Sequence, residues 1–150
     1  NIALITSIIQ EGLWEEKEKV YTEIMRSNGL EKYIKIIREP ATVQGGHIAM
    51  ARLCGGSDVP EAVMCANDYI AIGAVQSAWS NGFKVPDDIS IIGNDDISLC
   101  EMTFPKLTTV SLNSCKAGQT AINSLISVIN NEKVNDNVVE HFIVERSSVK

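Results

Sequence analysis

Short runs of aliphatic and β-branched residues, separated by longer stretches with helical spacing, constrain this chain more than any other feature. The runs fall at residues 2–6, 34–38, 62–66 and 89–93. Most are continuously apolar rather than alternating, the pattern of strands covered on both faces in a parallel sheet. Between them, residues 15–27 place Val20, Tyr21, Ile24 and Met25 on one helical face and end at Asn28-Gly29. Thr42 can cap a second helix that reaches Leu53 and closes at Gly55-Gly56. A third carries Ala71, Ala74, Val75 and Ala78 as a narrow stripe before Asn81-Gly82, with Asp68 as its favoured cap. The order βαβαβαβ implies right-handed crossovers. The expected class is therefore α/β: a doubly wound, mostly parallel sheet with helices on both faces.

After Gly93 the rhythm changes. Pro105 precedes an extended piece at 108–112, and Ser114 opens a long helix with Ala117, Ala121, Leu125 and Ile129 spaced by four. A polar turn at 130–133 leads to a last expected strand at 138–144.

Several functions are disfavoured at this level. The chain has 150 residues, enough to bury roughly 70% of its extended surface without staples. Its net charge of −6 argues against gripping a phosphate backbone by itself, which requires clustered Lys and Arg. No apolar run approaches the ~18 residues of a membrane span. The opening residues lack a cationic lead and read as a strand rather than a signal core. The first residue is Asn1 and the chain starts directly on an element, so an excised piece of a longer protein is expected. Cys54, Cys65, Cys100 and Cys115 form no C-x-x-C pair, which favours free thiols and a cytoplasmic setting. His47 and His141 stand alone, so no metal site is expected.

In open α/β sheets, ligands collect beyond the carboxyl ends of the strands. The third run ends at Asn67-Asp68 and the fourth at Asn94-Asp95-Asp96. An amide and a carboxylate on neighbouring strand ends suit a polyhydroxylated ligand, because a carboxylate accepts from adjacent hydroxyls while an amide both donates and accepts. Lys17 lies on the inward face of the first helix and adds a candidate cation, although its stem can also snorkel to solvent. Asn67 or Asp68 can serve simply as a helix cap, and the Asp95-Asp96 pair can simply initiate the next segment. A phosphoacceptor centre would need carboxylates after the first strand, where Thr6 and Ser7 stand instead. Trp14 and Trp79 are candidates for stacking on a sugar, with packing the commoner role for Trp79. No nucleophile has an activating neighbour, so neither catalysis nor a cofactor is expected.

Three motifs in fixed order carry a family resemblance. They are Ala66-Asn67-Asp68-Tyr69-Ile70-Ala71-Ile72-Gly73-Ala74, then Gly82-Phe83-Lys84-Val85-Pro86-Asp87-Asp88-Ile89-Ser90-Ile91-Ile92-Gly93-Asn94-Asp95-Asp96, then Pro105-Lys106-Leu107-Thr108-Thr109-Val110. The run resembles the effector-binding domain of the lactose-repressor/galactose-repressor (LacI/GalR) transcription regulators, itself similar to periplasmic sugar-binding proteins. The resemblance implies a two-lobed fold closing on a small effector, usually a sugar or its phosphate, with residues 1–150 as the C-terminal lobe. It implies effector contacts at Asn67 and Asp95, and at Lys17, where the family commonly has Arg before a Gly-aromatic pair and this chain has Val20-Tyr21. A lysine offers a point charge without the arginine fork. Asn94 stands where relatives often carry an aromatic or small apolar residue, and Leu112 where many have Gln.

The resemblance further implies that about 108–137 crosses to, or packs against, an N-terminal lobe absent from this chain, and that the DNA-binding helix-turn-helix head is also elsewhere. Without that lobe, the apolar face of the helix from Ser114 is expected to fold back or pair with another copy. Residues 99–104 would supply homodimer contacts, with Met102 and Phe104 as anchors. The leading expectation is an allosteric, non-catalytic sensing fragment of a DNA-binding transcriptional regulator, with a sugar or sugar derivative as its small-molecule effector. The alternative from another class is an exported solute-binding protein of a transport system; a third is a flavodoxin-like enzyme or phosphoacceptor domain.

Overall fold

The computed structural model describes residues 1–9, 11–134 and 136–150. Among them, β1 (Ile2–Ser7), α1 (Leu13–Ser27), β2 (Lys35–Glu39), α2 (Val43–Cys54), β3 (Ala62–Cys65), α3 (Asp68–Ser80), β4 (Ser90–Asp95), β5 (Thr108–Ser111), α4 (Ser114–Ile129) and β6 (Phe142–Val144) follow in order. Two short 3-10 turns, Glu31–Tyr33 and Ser98–Glu101, complete the regular structure. The strands form one sheet in the order β2-β1-β3-β4-β5-β6, parallel throughout except for the antiparallel β5–β6 pair. The expected doubly wound α/β class is what the chain forms.

Alternate strand residues serve opposite faces. Ala3, Ile5, Val63, Cys65 and Ile91 pack in the larger core cluster with α2 and α3. Leu4 and Met64 point the other way, toward Tyr21 and Met25 of α1. The sheet is thus continuous in apolar character because both faces are covered.

The α2–α3 pair depends on two glycines. A Cβ at Gly46 would lie 2.0 Å from the Ile70 carbonyl oxygen, and one at Gly73 would lie 1.9 Å from that of Val43. Each helix therefore presses its backbone into the other where a side chain is missing.

Helix entry follows the cap chemistry, with one correction. Thr42 caps α2 as expected, its Oγ1 accepting from the Gly45 amide at 3.0 Å. The cap of α3 is Asn67 rather than Asp68: its Oδ1 accepts from the Ile70 amide at 2.9 Å. Asp68 is the first helical residue, and its carboxylate turns inward to partners in later segments.

Two features of the C-terminal third also differ from expectation. The last strand is only three residues long, because its partner β5 ends at Ser111 and offers no further backbone to pair. Residues 147–150 instead run past β4 and β5, where the buried Ser148 hydroxyl donates to the Ile91 carbonyl and accepts from the Thr108 amide. Helix α4 does not fold back on the lobe, since none of its residues is buried and its stripe of Ile122, Leu125, Ile126 and Ile129 remains exposed. Of the segment 108–137, Asn135 lies outside the described residues.

Candidate functional site

Strand order reverses between β1 and β3, and the crevice outside the carboxyl ends at such a switch point is where doubly wound sheets bind ligands. Asn67 follows β3 and Asp95 ends β4, so parallel pairing puts both on the same rim. Lys17 reaches that rim from α1, with Nζ donating to the Ala66 carbonyl oxygen at 2.8 Å. The three residues singled out in the sequence therefore come together, although they arise from separate elements.

Charge and burial tie the group further. Burial pushes the Lys17 ammonium below its ordinary pKa, while the nearby charges of Asp95 and Asp68 act in the opposite direction. Burial likewise raises the Asp95 carboxyl, an effect reduced by the hydrogen bond from Asn94 and by the charge of Lys17. The indole of Trp14 lies 5.5 Å from Nζ of Lys17, close enough for a cation–π contact. With its Oδ1 used as the cap, Asn67 keeps the amide donors of Nδ2 for other partners.

The turn bearing Asp95 is strained. Asp95 has φ 118° and Asp96 φ 58°, values that cost on the order of 1–3 kcal/mol each in a residue with a Cβ. Such geometry persists where the surroundings over-determine it, and three bonds do so here. Asn94 Nδ2 donates to Asp95 Oδ1 at 2.6 Å, the Ile97 amide donates to Asp68 Oδ2 at 2.9 Å, and Arg146 pairs with Asp96 at 2.8 Å. Arg146 is itself held by Glu101 at 2.6 Å and by the Leu107 carbonyl at 2.8 Å. The paired acids thus divide their roles: Asp95 faces the rim, and Asp96 anchors the turn.

Sequence reasoning missed three of these participants. Asn94 looked like a departure from the family pattern, and it orients the rim carboxylate. Asp68 reads locally only as a helix cap and Arg146 gives no local signal, because their partners lie 29 to 50 residues away.

Elsewhere, Met102 and Phe104 are 78% and 80% exposed, and Phe104 meets the half-exposed Trp79 edge-on at 5.6 Å. Trp79 is therefore part of an aromatic surface rather than internal packing. An apolar hollow between α1 and the sheet, lined by Ile2, Val20, Tyr21, Ile24 and Met64, touches Lys17 but includes neither Asn67 nor Asp95. It lacks the converging polar groups that orient a ligand, so the rim is the stronger candidate. The four cysteines are free, and among the described residues no group of His, Cys, Asp or Glu is placed to hold a metal ion. No described helix is long and apolar enough to cross a membrane.

Comparison with known proteins agrees with this geometry. Residues 1–149 match the model of the periplasmic binding protein-like domain. The chain belongs to that family. Among curated relatives it is 33% identical over 144 residues to the HTH-type transcriptional repressor PurR of Histophilus somni, covering 88% of this chain and 43% of the repressor. It is 28% identical over 138 residues to the HTH-type transcriptional regulator RegA of Clostridium saccharobutylicum, covering 90% of this chain and 42% of RegA. A solved LacI family regulator from Bifidobacterium animalis subsp. lactis superposes with a TM-score of 0.91 at 25% identity, over 99% of this chain and 55% of that one. This periplasmic-binding-protein-like domain therefore spans less than half the length of those curated relatives, and its relatives are LacI-type regulators, as the three motifs implied.

Proposed function

We propose that this domain is the C-terminal lobe of the sensing unit of a transcriptional regulator, and that it binds a sugar or sugar derivative without catalysis. The observation that carries the reading is the meeting of Lys17, Asn67 and Asp95 on one rim at the strand-order switch point. A carboxylate, an amide and a restrained ammonium together can engage adjacent hydroxyls from several directions. Effector seated between this rim and an N-terminal lobe would shift an open–closed equilibrium. A helix-turn-helix head outside these residues would then be presented differently to DNA, in a cytoplasmic homodimer.

The exposed stripe of α4 fits the same scheme as a surface covered by the N-terminal lobe, to which 108–137 crosses. The relatives favour a regulator over an exported solute-binding protein, since those named are repressors and regulators. Calorimetry of the full-length protein against ribose, glucose, galactose and their phosphate esters tests the role. Saturable binding that alters operator affinity supports it; binding to none of them, with operator affinity unaffected by all, overturns it.

A further inference from the structure

We propose that Asp68 is a positioning residue for the rim: its carboxylate fastens the turn carrying Asp95 to strand β5, so that rim geometry and the crossing strand move together. The proposal rests on reading that rim as the effector site. Asp68 is fully buried at the first position of α3, where the helix dipole favours a negative charge. Its Oδ2 accepts from the Ile97 amide at 2.9 Å, two residues beyond Asp95. Its Oδ1 accepts from the Thr109 hydroxyl at 2.6 Å. Thr109 lies in β5, just before the chain leaves the sheet through Asn113, whose φ is 50°. Cys100, in the 3-10 turn that follows Asp95-Asp96, is held as the neutral thiol first by burial and then by the nearby Asp68 carboxylate.

Gly93 explains how a carboxylate fits there. A Cβ at Gly93 would lie 2.2 Å from Asp68 Oδ1, and Gly93 is paired with Thr109 across β4 and β5. The glycine that opens the Gly93-Asn94-Asp95-Asp96 run thus vacates the space that the carboxylate fills. No ion pair within 4.0 Å involves Asp68 among the described residues. The charge is therefore held by donors from different segments, and displacing one segment strips a partner from a buried anion, which is strongly resisted. Asp68 directly follows Asn67 and binds the amide two residues past Asp95, which places the node behind the rim.

Hydrogen exchange of the full-length protein tests this with Asp68→Ala, Asp68→Asn and Thr109→Val. Alanine removes both links and is expected to speed exchange at residues 94–98 by about tenfold or more, leaving β1 and β3 as they were. Asparagine can still accept from Ile97 with its oxygen and donate to Thr109 with its nitrogen, so it should return exchange to near the wild-type level. Valine at 109 keeps the shape but cuts the link to β5; it should leave 94–98 protected while loosening 108–111. Affinity for whichever of ribose, glucose or galactose the wild type binds should fall about tenfold in Asp68→Ala and recover in Asp68→Asn. Exchange that rises evenly over the whole sheet, or fails to rise at 94–98, overturns the proposal. If Asp68→Ala does not fold, Thr109→Val decides: unchanged exchange at 108–111 overturns it. If the wild type binds none of these sugars or their phosphate esters, the effector reading is what suffers, and the ligand-free exchange pattern still judges Asp68.

Discussion

Asn67 Oδ1 accepts the Ile70 amide at 2.9 Å, so the residue that stands at the rim also caps the helix behind it. In the proposed site, cap and ligand contact would use different atoms of this one side chain. Asn67→Ser keeps a capping oxygen and removes the amide, whereas Asn67→Ala removes both. Serine should therefore leave stability within a few tenths of a kcal/mol, and alanine should cost about 1 kcal/mol. Sugar affinity should drop about tenfold or more in both. Denaturant unfolding beside calorimetry on the full-length protein separates the two effects; a serine variant that binds as well as wild type removes Asn67 from the site.

The raised pKa of Asp95, caused first by burial, gives a signed pH prediction. The folded state holds this proton more tightly than the unfolded chain, whose value is near 3.8. The resulting stability is present below that value and is lost as pH rises through the folded pKa. At neutral pH the ionised Asp95 is therefore a burden on the fold. Asp95→Asn should raise the Tm at pH 7 relative to wild type, an advantage that shrinks toward pH 4, while effector binding is lost. Thermal melts across that range check it, and a Tm difference independent of pH contradicts it.

Much of this fold is readable locally. The continuous apolar runs mark buried parallel strands, and strand ends single out Asn67 and Asp95 because the sheet brings the carboxyl ends of its parallel strands to one edge. What is not readable depends on contacts between distant segments. Asn67 and Asp68 are both good caps, and it is the Ile97 amide and the Thr109 hydroxyl, 29 and 41 residues later, that draw Asp68 inward. Arg146 looks like an ordinary tail residue until it meets Asp96 and Glu101. The length of β6 is set by where β5 stops, which no pattern within residues 138–144 records.

The closest approach of α2 and α3 gives a stability test remote from the rim. Alanine at Gly73 would press a methyl group into the Val43 carbonyl, a backbone atom that cannot swing aside. Gly73→Ala should destabilise by about 3 kcal/mol through overpacking, despite alanine's higher helix propensity. Equilibrium unfolding measures it. Wild-type stability in this variant would mean that the helices can separate without loss, contrary to the packing described above.

Trp79, Met102 and Phe104 form an exposed apolar surface whose aromatic members already meet edge-on. Large side chains exposed this far are anchors when a second copy covers them and liabilities otherwise. Arg146 and Lys106 both pair with Glu101, next to Met102, which braces the backbone that presents these anchors. A homodimer through this face predicts that Phe104→Glu weakens self-association of the full-length protein by about tenfold or more, because it buries an unpaired charge. Lobe stability should change little, since Phe104 is 80% exposed in the single chain. Sedimentation equilibrium reads the association and thermal melting the fold. An unchanged dimer places the subunit contact on another face, and a collapsed Tm would mean that Phe104 supports its own chain instead.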